Sequence, residues 1–288
     1  MSTSVCVFVK GLFHVTTPDS FHEFEWSRWQ AAAGPYQNNF ASLTCQAIPG
    51  LLPRESLSGG SRLLDVACGP GDLTAAAARR GYESTGLDFS QAMLALAAST
   101  HPQCRFSQGD AQALPFDADT FDAVCMNFGI LHLSDPDRAI LDAYRVLRAG
   151  GEYSFTAWAA PPHTAGFQII LDLIDRHALP AELPPGPPFF DFGRAGRALF
   201  ALRRAGFEGC RGELAPLIWR LHDADEYFQA FLLGTARTGG VLRSQPTTVL
   251  RRIREDLEDQ LAPYRSSTGL SIPMSALIWR GRKRGPAS

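Results

Sequence analysis

Lysine is almost missing from this chain of 288 residues: of its 27 basic residues, only Lys10 and Lys283 are lysines. That skew towards arginine reads as a GC-rich coding sequence rather than a functional feature. An excess of either charge is missing too. With 29 acids against 27 bases the formal balance is −2, which excludes a broad electrostatic grip on nucleic acid. No run reaches the roughly 18 to 20 apolar residues that span a bilayer. The N-terminal stretch VCVFVKGLF is short and holds Lys10 inside it. It has no basic flank before it and no small-residue cleavage site after it, so no secretory signal is read. The six cysteines (Cys6, Cys45, Cys68, Cys104, Cys125 and Cys210) make no C-x-x-C pair and no regular spacing. A disulfide framework or a zinc site would need such spacing. Reduced cysteines in a cytoplasmic protein without a metal are expected instead.

What is present is enough apolar material for a core. A 45% apolar and 19% charged composition excludes wholesale disorder, and the length allows one large domain or two small ones. There is no internal repeat. Residues 62–158 alternate strand-like and helix-like stretches: RLLDVAC, then DLTAAAARR stopping at Gly81; YESTGLDF, then Ser90 capping QAMLALAAS. CRFSQ and FDAVCMNF follow as strands, AILDAYRVLR as an amphipathic helix ending at Gly150 and Gly151, and EYSFTAW as a fifth strand. Short buried strands alternating with helices predict an α/β fold, a doubly wound and mostly parallel sheet.

Past Pro161 the rhythm changes. GFQIILDLIDRHAL and GRAGRALFALRRAGF read as helices on either side of the proline-rich LPAELPPGPPFFDFG. GELAPLIWRL has strand character, with Pro216 demoting it to an edge or a bulge. Leu250, Ile253, Leu257 and Leu261 recur at helical spacing within a helical region from 223 to 262, and MSALIWRGR reads as a last strand. Residues 1–60 suggest a helix around Glu25 to Ala33 and another from Phe40 to Ile48.

The most informative segment is LLDVACGPGDLT. Asp65 stands near the carboxyl end of the first strand, and Gly69-Pro70-Gly71 turns the chain into a helix whose N-terminus favours a negative group. A glycine turn alone is an ordinary strand-to-helix connection. Two more acids change its meaning. Asp88 ends the second strand, where an acid would accept both hydroxyls of a ribose, and Asp110 lies just past the third, where it would meet an exocyclic amine beside the Ala111 N–H. Three acids at three successive strand ends line one edge of a parallel sheet, which is where ligands of such sheets bind.

On these residues the segment from Leu63 to Trp158 resembles a class I S-adenosylmethionine-dependent methyltransferase. LLDVACGPG resembles that family's first motif, GLDFS its second, GDAQALPF its third, FDAVCMNFGILHL its fourth, and RVLRAGGEYSF the entry into strand five. The style is that of the ubiquinone/menaquinone-biosynthesis-like, small-molecule branch. The resemblance implies a Rossmann-like sheet of seven strands, with 61–288 as the catalytic domain. It also implies a helical lid built from 1–60 and from insertions at about 161–192 and 222–270. It implies that Asp65, Ala67, Gly69 and Gly71 line the methionine end of the cofactor and that Asp88 takes its ribose. Phe89 and Met93 would flank the adenine, with Asp110 and Ala111 on its polar edge and Asn127 and Phe128 beneath the sulfonium; S-adenosylhomocysteine would be the product. Plain core packing is the alternative reading of Phe89 and Met93. One departure is Ala67, where the family usually has glycine: its methyl lies beside the expected path of the methionine moiety and implies a slightly shifted pose.

In-line attack on a sulfonium methyl needs positioning and dryness more than covalent help. A base helps if the acceptor is a hydroxyl or a carbon acid, and His132 in GILHLSD is the candidate, an imidazole of the kind that titrates near neutrality. A packed structural histidine is the other reading of it. His14 and His22 are outside options. Asn127-Phe128-Gly129-Ile130 lacks the Asn/Asp-Pro-Pro-Tyr run of enzymes that methylate exocyclic nitrogens of bases, and RRIREDLEDQ is a solvated face of mixed charge. Trp29, Tyr36, Phe167 and Trp219 mark aromatic material in the presumed lid, readable as core or as the walls of an apolar pocket. The expectation is methyl transfer to O, N or C of a small, mostly apolar metabolite by a monomer or homodimer. Two rivals stand beside it: an S-adenosylmethionine-binding protein that catalyses another reaction or acts as a sensor, and an NAD(P)-dependent oxidoreductase. The latter would have Thr74 at its third glycine's place and no role for Asp65 or Asp110.

Overall fold

The alternation of short apolar runs with helix-forming stretches places one twisted sheet at the centre. The computed structural model describes residues 18–53 and 60–285; the stretch carrying Lys10 and His14 lies outside the described residues. Three helices come first, α1 (Pro18–Asn39), α2 (Ala41–Thr44) and α3 (Ile48–Leu51). The alternating part follows as β1 (Arg62–Val66), α4 (Asp72–Arg79), β2 (Glu83–Asp88), α5 (Gln91–Thr100), β3 (Arg105–Gln108), β4 (Phe121–Met126), α6 (Pro136–Val146) and β5 (Leu147–Trp158). Then come α7 (Ala165–His177), α8 (Ala195–Arg204), β6 (Phe207–Ala215), β7 (Ile218–Leu221), α9 (Ala224–Gly234), α10 (Arg237–Arg243) and α11 (Thr247–Leu261). The hairpin β8 (Arg265–Ser266) and β9 (Gly269–Pro273) leads to the last strand, β10 (Ala276–Lys283).

Seven strands form the main sheet in the order β3-β2-β1-β4-β5-β10-β6. Neighbours are parallel from β3 through β5, and β10 runs antiparallel to both β5 and β6. This is the doubly wound, mostly parallel sheet expected from the strand rhythm, with the seven strands and Rossmann-like order that the resemblance implies. The chain winds outwards in opposite directions from β1 and β4, so a crevice opens at their carboxyl ends. Caps set the helices that border it. The Ser90 hydroxyl accepts the Met93 N–H at 3.3 Å to start α5, and Asp135 accepts the Arg138 N–H at 3.0 Å to start α6.

Several boundaries differ from the periodicity. α6 stops at Val146, and Gly150 and Gly151 lie inside β5 rather than after a helix. Gly150 has φ +80°, and the β4–β5 register shifts between Phe121 and Ala123, so the glycines let the strand bulge. The run GELAPLIWRL divides at Pro216, which has no N–H to continue a ladder. β6 stays at the edge of the main sheet while β7 joins a separate three-stranded sheet, β7-β9-β8. Helical periodicity leaves that hairpin unassigned. α1 is 22 residues long and runs through Gly34 and Pro35, well past the Glu25–Ala33 core of its pattern. The second predicted helix, Phe40 to Ile48, is broken into α2, a 3₁₀ turn and α3, with Pro49 in the first turn of α3.

The two largest of the four apolar clusters among the described residues sit on different sides of this framework. One lies under the sheet, where Val124, Phe155 and Trp279 pack against Ile140 of α6 and Leu202 of α8. The other fills the layer above the carboxyl edge, where Phe40, Phe167, Trp219, Tyr227, Phe231 and Ile272 join α7, α9 and the second sheet. The segments that roof the crevice are therefore a packed body.

Candidate active site

The site grows out of the turn after β1. Ala67, Gly69 and Gly71 have φ of +55°, +51° and +85°, which folds the chain back sharply into α4. Glycine adopts this backbone freely, whereas an alanine in the left-handed region costs on the order of 1 kcal/mol. Phe128, at the end of β4, is also left-handed, with φ +56°. Its N–H donates to Thr156 Oγ1 at 2.8 Å, and the same hydroxyl donates to Asn127 Oδ1 at 2.9 Å. Asn127 Nδ2 in turn reaches the Thr44 carbonyl at 3.2 Å. The strained turn is thus held by a chain of hydrogen bonds and by stacking of Phe128 on Trp158 with ring centres 4.0 Å apart. The two strained residues face each other through Gly129: a Cβ placed there would lie 2.7 Å from the Ala67 methyl.

The three predicted carboxylates, together with Asp72, border the same cavity, which encloses about 1310 Å³ with its mouth. Asp65 is 1% exposed; its Oδ2 accepts the Thr74 hydroxyl at 2.6 Å, and its Oδ1 has no hydrogen-bond partner. Burial pushes the Asp65 carboxyl up to about 7, against the pull of the Thr74 hydrogen bonds. Asp88 is also buried; its Oδ2 accepts the Gly69 N–H at 2.8 Å and its Oδ1 the Ser90 N–H at 2.9 Å. Burial raises it to about 6 in spite of these bonds. Asp110 accepts the Gln112 N–H at 2.8 Å.

Most of the predicted site residues come together here. Asp65, Ala67, Gly69, Asp88, Phe89 and Met93 line the floor, with Asp110 and Ala111 beside them, and Asn127, Phe128 and His132 form a wall. Trp29, Tyr36 and Phe167 close the top. His22 also borders the space, edge-on to Phe89. Two predicted residues do not reach it. Gly71 caps α4, where a Cβ would lie 2.7 Å from the Phe106 ring, so its absence of a side chain serves packing. Trp219 is fully buried within the roof, stacked on Phe40 at 4.7 Å and out of the lining.

Sequence reasoning missed Glu25 and Arg237. Glu25 is wholly buried on α1. Its Oε2 accepts the Trp29 indole N–H at 3.1 Å and lies 2.9 Å from His132 Nδ1, and its Oε1 accepts from Arg237 Nε at 3.1 Å. Burial opposes its charge, but His132 and Arg237 outweigh that and hold the carboxyl below its ordinary value. Arg237 also donates to the Pro187 and Leu131 carbonyls and lies over the Phe21 ring at 4.5 Å. The signal was present: Phe21, Glu25 and Trp29 follow one another at i, i+4 on the buried face of α1, and an acid on such a stripe needs partners. Among the described residues, no group of three or more His, Cys, Asp or Glu side chains is placed to hold a metal. No described helix is long and apolar enough to cross a membrane.

The doubly wound sheet, the glycine turn and the acids at its first three strand ends resemble those of class I S-adenosylmethionine-dependent methyltransferases, and comparison with known proteins finds the same likeness in this part of the chain. Residues 64–155 match the family model described as a methyltransferase domain. A demethylmenaquinone methyltransferase of Renibacterium salmoninarum is 35% identical over 122 residues, 42% of this chain and 51% of that protein. The ubiquinone/menaquinone biosynthesis C-methyltransferase UbiE of Roseobacter denitrificans is 38% identical over 129 residues, with the same shares. The chain spans about half the length of these curated relatives. Among solved structures, the YcgJ protein of Bacillus subtilis aligns over 84% of this chain and 98% of its own with a TM-score of 0.55 at 18% identity. Phosphoethanolamine N-methyltransferase 2 of Haemonchus contortus, in complex with S-adenosyl-L-methionine, aligns over 92% of this chain and 60% of its own with a TM-score of 0.54 at 18% identity. At these identities the likeness is one of fold, and fold alone does not fix an acceptor.

Proposed function

We propose that this protein transfers the methyl group of S-adenosylmethionine to O, N or C of a small, mostly apolar and uncharged acceptor, with His132 as the base. The N-terminal segment and the insertions at 161–192 and 222–270 act as the lid. The observation that carries the reading is the partnerless, buried Oδ1 of Asp65, which lines the cavity together with Asp88 and Asp110. A buried acceptor atom of this kind asks for a donor, and the α-ammonium of S-adenosylmethionine is one. Asp65, Ala67 and Gly69 would hold the methionine end. Asp88 would take the ribose hydroxyls with the lone pairs its two backbone bonds leave. Phe89 and Met93 would enclose the adenine, Asp110 and Ala111 would meet its polar edge, and Asn127 and Phe128 would lie under the sulfur.

When bound, the cofactor supplies a methyl group on a sulfonium, open to in-line displacement. The chain's own part is to align the acceptor, exclude water and accept its proton. The walls beyond Phe128 are aromatic and apolar. The one arginine of the described lining, Arg237, is engaged by Glu25, two carbonyls and an aromatic face, so among the described lining residues no arginine or lysine is left free for an anionic acceptor. Hydroxylated aromatic rings are the acceptors this chemistry favours, since losing a hydroxyl proton activates both the oxygen and the ring carbons. The names of the matched relatives point to the same class, and hydroquinones are the first to assay. A reducing compartment such as the cytoplasm suits the five described cysteines, all of them unpaired.

The test has two stages. A thermal melt with S-adenosylhomocysteine beside NAD and NADP should show stabilisation by the first alone, about 2.7 kcal/mol at 100 times its dissociation constant. Incubation with methyl-labelled S-adenosylmethionine and a panel of hydroquinones and phenols should then give a labelled product, and His132→Gln should slow it by roughly 10²-fold or more. Stabilisation by a nicotinamide cofactor, or transfer undiminished in His132→Gln, would overturn the cofactor or the base assignment respectively.

A further inference from the structure

The buried carboxylate of Glu25 is the least expected group near the cavity. It sits on α1, while its partners come from far along the chain: His132 in the turn after β4 and Arg237 at the start of α10. A carboxylate whose other contacts are the Trp29 and Arg237 N–H groups is an acceptor, so the imidazole nitrogen 2.9 Å from it must carry the proton. The ring is further fixed by the Trp29 indole, edge to face with ring centres 4.8 Å apart. His132 itself lines the cavity.

We infer that Glu25 is the positioning residue of the base: carried in on α1, it holds His132 as the Nδ1–H tautomer and leaves Nε2 to take the acceptor's proton, while Arg237 tempers its charge. The inference rests on the reading of His132 as the base. In the step it serves, the acceptor's O–H or C–H bond breaks and an Nε2–H bond forms. The electron pair left on the acceptor makes the new bond to the methyl group, and the pair of the old methyl–sulfur bond stays on sulfur. The imidazolium so formed faces the Glu25 carboxylate. Because that carboxylate belongs to α1, the base is complete only when α1 is seated over the cavity.

The experiment is a long-range proton–nitrogen NMR measurement of the His132 ring tautomer in the full chain saturated with S-adenosylhomocysteine, which needs no knowledge of the acceptor. Wild type should show the Nδ1–H tautomer when neutral. Glu25→Gln, which replaces a pure acceptor by an amide that can also donate, should let the Nε2–H tautomer appear, and Glu25→Asp should restore the Nδ1–H form in part. Stabilisation by S-adenosylhomocysteine should persist in Glu25→Gln, since Glu25 does not line the cavity. An Nε2–H tautomer in wild type would overturn the inference even if every variant failed to fold. A tautomer population unchanged in a folded Glu25→Gln would do the same. Loss of the proposed methyl transfer is a separate result, because the tautomer is read without turnover.

Discussion

Replacing Asp65 by asparagine should make the protein more stable and a worse binder of its cofactor, and the pH dependence of the gain is the diagnostic. The folded state holds the Asp65 carboxyl at about 7, against about 3.9 for an unfolded aspartate. Between those values the folded chain keeps a proton that the unfolded chain has lost. Stability therefore falls as pH rises from about 4 to 7, and above 7 the full cost of burying the charge is present. Roughly three pH units at 1.36 kcal/mol each put that cost at about 4 kcal/mol, an upper figure. Asparagine is neutral at every pH and can still accept the Thr74 hydroxyl, so Asp65→Asn escapes it. Its advantage over wild type should shrink by about 3 kcal/mol between pH 8 and pH 5, because most of the cost is already gone at pH 5. In a chain of this size that is a change of roughly 6–12 °C in the difference between the two melting temperatures. Paired melts of wild type and Asp65→Asn at pH 5 and pH 8 measure it. Losing a charge-assisted bond to the ammonium, worth about 1.5–3 kcal/mol, should weaken S-adenosylhomocysteine roughly 10- to 150-fold by calorimetry at pH 8. A variant no more stable than wild type at pH 8, or an advantage equal at both pH values, would refute the account of a carboxyl strained by burial and waiting for a cation.

Two further outcomes follow from packing. Gly129→Ala should cost about 1–3 kcal/mol in denaturant melts, because the new methyl would lie 2.7 Å from that of Ala67 and 2.9 Å from Met126 Cγ. Adding Ala67→Gly should recover part of the loss, since it removes one of the clashing methyls and the left-handed alanine together; an additive double mutant would contradict this. Trp219→Ala should lower stability by about 3–5 kcal/mol yet leave the affinity for S-adenosylhomocysteine within a few-fold wherever the protein stays folded. Phe167→Ala, from the cavity wall, should instead raise the KM for the acceptor.

The central architecture was legible because local signals and tertiary demands coincide there. A strand that ends in a tight glycine turn and is followed by a capped helix has few places to go except a parallel sheet, and Asp65, Asp88 and Asp110 fall at strand ends by their position alone. Legibility failed where backbone exceptions decide the path. Gly150 looks like a helix stop but bulges a strand, and Pro216 divides one apolar run between two sheets. Both outcomes depend on which partner strands lie alongside. Trp219 and Phe167 are alike as aromatic residues of the insertions, and only packing shows that one is core of the roof while the other faces the cavity.

The amino-acid sequence by itself thus determined the sheet, the turn that approaches a ligand and the row of acids, because each follows from residue type and spacing within one strand–turn–helix unit. Only the tertiary structure decided the company that His132, the proposed base, keeps. Glu25, His132 and Arg237 are brought together from separations of 107 and 212 residues, and no periodicity links such positions. What joins them is the cost of burying an acid on the inner face of α1, a cost met by whichever cations and donors the folded chain carries there.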